Sequence, residues 1–258
     1  MLIKYMQQEI ELRNYSMLLG VSNDLIVQER RIVDFFMSRN IEGLIVVPAN
    51  AEESRLDHLY ALNQQEIPFV YCTGYYKGLS ADCVMTDLQK GSYLLTRHLI
   101  NSGHKKIILI SGRPDAALSF LRVNGYKQAY QEAGIPYDSS WIKETNTDYQ
   151  SGYAAAEQII AQGLPDAIIT INDMLAIGVL KCCKDKGIKV PGDVSVAGYD
   201  DLLFSAVAET PLTTVRQPIE LICKKSVERI IDRIEKKNTP LDAVLLEPEL
   251  ILRESVRS

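Results

Sequence analysis

The residues best suited to hold a polar ligand stand where strands run out. Asn172 follows the strand Ala167–Ile171, and Asp200 follows the strand Val194–Gly198 and Tyr199. Between them the helix carries Leu175, Ala176, Val179, Leu180 and Cys183 at three- and four-residue spacing, the mark of one apolar face. Gly187 ends that helix where a left-handed cap is usual. A strand, crossover helix and second strand of this length imply parallel strands. In open parallel sheets, ligands sit beyond the carboxyl ends of the strands. Asn172 and Asp200 should therefore face one crevice. A carboxylate accepts from hydroxyls, and an amide both donates and accepts. Each residue also has a plainer reading. Asn172 suits a helix N-cap, and Asp200 suits a cap on the short segment after it. Asp173 reads as a structural cap.

Other chemistry is poorly supported. His58, His98 and His104 are too scattered for a metal site, and the last two read as structural. Ser111-Gly112 follows a strand but lacks the flanking glycines of a nucleophile elbow. The backbone of Ser111–Asp115 could take a ligand, but a single glycine makes that signal weak. No dinucleotide or Walker glycine pattern occurs. The chain is expected to be no enzyme and to hold neither cofactor nor metal.

The elements that must position these residues alternate. Met1–Asn14 reads as a helix, Tyr15–Val21 as a strand and Asp24–Arg39 as a helix. Gly43–Val47 is a strand, Ala51–Gln65 a helix, Pro68–Cys72 a strand, Val84-Met85 a short strand and Leu88–Asn101 a helix. Ser102-Gly103-His104 breaks the chain. A second set follows: strand Lys106–Ile110, helix Ala117–Ala133, strand Trp141–Glu144, helix Gln150–Ala161, and then the unit described above. Pro211–Arg216 is extended. Ile219–Lys236 is the clearest helix, with Ile219, Ile222, Cys223, Val227, Ile230, Ile231 and Ile234 forming one apolar stripe. Ala243–Leu246 and Leu250–Arg253 are strand-like. Two alternating sets imply an α/β fold of two doubly wound sheets.

Composition sets limits. The 258 residues are 47% hydrophobic and 24% charged, with net charge −5, which suits one large or two modest globular domains. An acidic chain has little unaided affinity for phosphate backbones. No apolar run approaches the ~20 residues that span a bilayer, and the opening MLIKYMQQEIELR lacks a secretory core. The five cysteines are odd in number and match no zinc spacing. They read as reduced, mostly buried thiols of a cytoplasmic protein.

Five ordered stretches carry a resemblance: ISGRPD with LRVNGYKQAYQEAGIP, INDMLAIGVL, VPGDVSVAGYDD, TPLTTVRQP and LEPELILRES. Together they resemble the effector-binding core of lactose/galactose-repressor family transcription regulators, over essentially the whole chain. The resemblance implies two periplasmic-binding-protein-like lobes (type I) with a ligand between them. One lobe would be residues 1–101 plus 216–242, the other 102–215 plus 243–258. Arg122, Asn172 and Asp200 match the family's effector-contacting positions. Arg122 adds a rigid fork of donors, and a guanidinium, a carboxylate and an amide together suit vicinal sugar hydroxyls. The plainer reading of Arg122 is a solvated helix residue.

The resemblance further implies a homodimer, and a small-molecule effector, expected to be a sugar or sugar derivative, that shifts operator affinity. Operator DNA would be met only through an N-terminal helix-turn-helix that this chain lacks. The family core opens with a strand before its first helix, whereas Met1 already lies in that helix. An isolated chain is therefore expected to be poorly stable, or completed by another chain. Thr147 stands where the family often has an aromatic residue; Tyr71, Tyr75, Tyr76 or Phe120 could substitute. Thr73-Gly74 replaces a frequent acidic–basic pair. The alternative function is a sugar-binding receptor of a transport system, against which the absent signal peptide and the five cysteines argue.

Overall fold

Helix follows strand through most of the computed structural model, which describes residues 1–49, 56–112, 118–237 and 240–257. In chain order the elements are α1 (Leu2–Glu11), α2 (Ile26–Met37), β1 (Leu44–Val46), α3 (Asp57–Gln64), β2 (Phe69–Cys72), β3 (Asp82–Thr86) and α4 (Leu88–Asn101). Then come β4 (Ile107–Gly112), α5 (Ser119–Ala133), β5 (Ile142–Thr145), α6 (Tyr149–Ala161), β6 (Ala167–Thr170), α7 (Asp173–Asp185) and β7 (Ser195–Ala197). The chain finishes with α8 (Leu203–Val207), β8 (Thr214–Arg216), α9 (Ile219–Ile234), β9 (Ala243–Leu246) and β10 (Glu249–Ile251). Arg113–Asp115, and the expected helical start at Ala51, lie outside the described residues.

The chain separates into two compact units. One holds Met1–Thr86 and Pro218–Leu246; the other holds Asp87–Pro114, Leu118–Gln217 and Glu247–Ser258. The first has a parallel sheet of order β1-β2-β3-β9. Its core joins Val70, Cys72 and Val84 to the α9 stripe of Ile222, Cys223, Val227, Ile230 and Ile231, the spacing the sequence displays.

The second unit has a parallel sheet of order β5-β4-β6-β7. All six residues of β4 and all four of β6 are buried, as strands covered on both faces should be. Tyrosines finish the entry end of β4: Tyr126 donates to Ile107 O at 2.9 Å, and Tyr130 accepts from Ile107 N at 3.1 Å. A separate antiparallel pair, β8 with β10, completes the unit. The five cysteines are free and buried, and burial pushes the Cys72 and Cys183 thiols up to about 11 and about 12.

Three expectations change. Tyr15–Val21 is not a strand. Tyr15 and Met17 still pack on the first unit's core, while Leu18, Leu19 and Val21 are exposed. Alternation of apolar residues extends a chain, but a strand also needs a ladder partner, and no described strand supplies one here. The other two concern boundaries. Helix α4, assigned to the first lobe by its order, groups with the second unit because it packs along α5. Strand β9, assigned to the second lobe, pairs with β3, Cys83 to Ala243 through Thr86 to Leu246.

Candidate ligand-binding site

Three consecutive strands of the second unit, β4, β6 and β7, lead at their carboxyl ends to Arg122, Asn172 and Asp200. The turn after β7 is the most constrained part. Asp200 and Asp201 have φ of 109° and 53°, a region that costs a side-chain-bearing residue ~1–3 kcal/mol unless its surroundings hold it there. Here the surroundings do. Asp200 N donates to Val215 O at 2.8 Å. Asp173, fully buried, accepts from Leu202 N at 2.8 Å, Ser205 Oγ at 2.6 Å and Thr214 Oγ1 at 2.7 Å. Burial still raises its carboxyl above the usual range, against the pull of those three donors. Asp201 accepts from Arg216 Nε at 2.7 Å and Arg253 Nη2 at 2.6 Å. Gly198 is required behind the turn, since a Cβ there would stand 2.1 Å from Asp173 Oδ1.

Asp200 itself is only partly satisfied. Its Oδ1 accepts from Gln217 Nε2 at 2.7 Å and lies 3.9 Å from Arg122 Nη2, beyond hydrogen-bond reach. Burial pushes its carboxyl up to about 6, with Arg122 and Gln217 opposing, although 28% of the side chain stays open. Arg122 projects from the first turns of α5, with 13% of its side chain exposed. Its guanidinium carbon sits 4.4 Å from the centroid of the Tyr199 ring. The Arg122 Nε is buried without a hydrogen-bond partner.

Asn172 is committed elsewhere. Its Oδ1 accepts from Leu175 N at 2.8 Å, which makes it the N-cap of α7, and its Nδ2 donates to Thr147 O at 2.8 Å. The structure thus joins Arg122 to Asp200 and gives Asn172 the capping role that its type suggests. One N–H and one lone pair of its amide remain over. Gln217 was not foreseen, yet it follows β8 directly and so obeys the strand-end rule that marks Asn172. Tyr199 and the Asp201–Arg216–Arg253 cluster carry no local signal, because their partners lie far along the chain.

The other residues singled out from the sequence fall as follows. Tyr71 and Tyr76 pack edge to face in the first unit, and Tyr76 donates to Glu29. Tyr75 is half-buried in the same unit. Phe120 lies exposed on α5. His104 is buried between Leu99 O and Ser195 Oγ, at 2.9 and 2.8 Å. Among the described residues no group of three or more His, Cys, Asp or Glu could hold a metal, and no helix is long and apolar enough to cross a membrane.

Residues 96–256, more than half of the chain, match the periplasmic binding protein-like domain family. Among curated proteins, the HTH-type transcriptional repressor PurR of Vibrio atlanticus is 30% identical over 247 residues, 95% of this chain and 73% of the relative. The ribose operon repressor of Haemophilus influenzae is 28% identical over 253 residues, 98% of this chain and 75% of its own. Among solved structures, the transcriptional regulator CelR–cellobiose complex is 27% identical, with a TM-score of 0.89 over 98% of this chain and 77% of the other. The fold is thus a periplasmic-binding-protein-like α/β core. With these relatives, the chain belongs to the lactose/galactose-repressor family of transcription regulators, as its effector-binding regulatory core. Both of these curated relatives are transcriptional repressors, which does not favour the transport-receptor alternative.

Proposed function

We propose that Arg122, Asp200 and Gln217 bind hydroxyl groups of a small sugar or sugar derivative, with Asn172 offering its second N–H. The observation that carries this reading is the unfinished pairing of Arg122 and Asp200. Among the described residues, a guanidinium with an unpartnered Nε stands 3.9 Å from a carboxylate that has only one donor. A vicinal diol would complete both groups, one oxygen accepting from the guanidinium and one hydroxyl donating to the carboxylate. The ribose and cellobiose in the names of the relatives support this ligand class. Lobe closure, which the family resemblance implies, would then alter the operator affinity of the full-length cytoplasmic regulator. It does so only to the extent that the ligand prefers one lobe arrangement. No chemistry is performed on the ligand.

The test is a thermal-shift screen with D-ribose and cellobiose, run beside Arg122→Ala. A ligand at ~100 times its Kd adds about 2.7 kcal/mol, roughly 5–10 °C. The expected result is a shift with one sugar that Arg122→Ala loses. A shift that survives in the variant would remove Arg122 from the site, and no shift with either sugar would oppose the ligand class.

We also propose a homodimer. Leu203, Phe204 and Val207 on α8 are 68%, 63% and 71% exposed, an apolar cluster that a second copy would cover. Sedimentation should show a dimer for the unaltered chain and a monomer for Phe204→Asp; a dimer in both would place the interface elsewhere.

A further inference from the structure

Tyr199 stands between Arg122 and helix α4. Its ring lies against the guanidinium, 4.4 Å from centroid to Cζ, and the residue is 1% exposed. The hydroxyl end runs to α4 at Gly91. A Cβ on Gly91 would fall 2.2 Å from the Tyr199 hydroxyl oxygen, 2.9 Å from its Cζ and 3.0 Å from its Cε2. The helix makes room for the ring by carrying no side chain at that point. The Tyr199 hydroxyl and Arg122 Nε are both buried without hydrogen-bond partners. At these atoms the pair is held by stacking on one side and by the wall at residue 91 on the other.

We infer that Tyr199 is a positioning residue for Arg122, fixing the height and tilt of the guanidinium that meets the effector, and that Gly91 in turn fixes Tyr199. The inference rests on Arg122 being a ligand contact. The face of a tyrosine ring attracts a cation placed over it. Occupying one face of the guanidinium leaves its in-plane N–H fork free to meet acceptors. A leucine would fill much of the same volume but offers neither the attraction nor a flat floor. Helix α4 begins at Leu88, directly after β3 ends at Thr86, where the chain passes from the first unit to the second. Any displacement of α4 at Gly91 would therefore move the floor beneath Arg122.

The experiment has two arms. In the first, the Arg122 Nε–H resonance of the ¹⁵N-labelled chain is assigned by its loss in Arg122→Lys. Placed over the ring, it should be shifted upfield, stay so in Tyr199→Phe, and move toward the value of a free arginine in Tyr199→Leu. In the second, D-ribose and cellobiose are titrated calorimetrically. Tyr199→Leu should weaken binding about tenfold, with a melting temperature close to that of Tyr199→Phe, whose affinity should match the unaltered chain. Gly91→Ala should weaken binding when residue 199 is tyrosine and add nothing when it is leucine. An Arg122 resonance unmoved in Tyr199→Leu, or equal losses of affinity and stability in both Tyr199 variants, would overturn the inference. If neither sugar binds the unaltered chain, the sugar reading of the site fails, while the resonance still decides the role of Tyr199.

Discussion

Glu29 in the first unit and Asp200 in the second are both carboxylates drawn out of water, and they differ in how completely they are answered. Glu29 accepts from Ala49 N at 3.1 Å, from Tyr76 at 2.8 Å and from His58 Nε2 at 2.8 Å. These donors tie α2 to α3, to the chain after β1 and to the loop after β2. Among the described residues Asp200 accepts from Gln217 alone, with Arg122 held off at 3.9 Å. Asp173, in the same unit as Asp200, resembles Glu29 rather than Asp200, with three donors of its own. A buried carboxylate with three donors is a fastening. One with a single donor, beside an arginine it does not quite touch, has capacity left for a ligand. Residue type alone would have grouped all three.

The comparison can be broken first at Glu29. Glu29→Ala should cost about 3–5 kcal/mol, because it strands three groups placed to meet a charge. Denaturant unfolding measures it, and a loss under about 1 kcal/mol would mean that Glu29 fastens nothing.

Next comes Asp200→Asn. The carboxyl of the folded protein sits at about 6 against an ordinary 3.8, so between those values the folded chain holds a proton that the unfolded chain has released. The contribution of Asp200 to stability therefore falls as pH rises from about 4 to about 6 and stays low above that. Asparagine removes this loss. At pH 7 the variant should be more stable by up to about 3 kcal/mol while binding effector less well. Superimposable stability–pH curves for the two proteins would count against an under-satisfied Asp200.

The smallest effect is expected from Asn172→Ala, which loses an N-cap worth about 1 kcal/mol. Faster hydrogen exchange at Leu175 N–H would accompany it. Unchanged exchange there would return Asn172 to the role of a simple ligand contact.

Much of this was legible in the sequence, for a physical reason. Strands buried on both faces read as apolar runs, and the polar residues that end them stand out; Asn172 and Asp200 were singled out as candidates this way. Arg122 required a resemblance, because an arginine early in a helix looks the same whether it faces solvent or a ring. What stayed hidden depends on pairing across long separations. The partners of Asp201 are Arg216 and Arg253, and β9 joins β3 from about 160 residues away. Nothing local to either end announces the other. Tyr15–Val21 failed in the opposite sense, with a good local pattern and no neighbour to pair with.

The bond between Arg253 and Asp201 also orders events in time. Arg253 holds the turn that presents Asp200, and Ser255 nearby accepts from Thr213 N and donates to Val196 O, at 2.8 and 2.6 Å. A chain emerging from the ribosome can lay down β4, β6 and β7 well before residue 253 exists, but it cannot lock the turn after β7. The turn that presents Asp200 is in this sense set only after the strands that lead to it. A chain ending at Leu246 should retain the helical signal of the second unit yet bind the effector more weakly than the 258-residue chain.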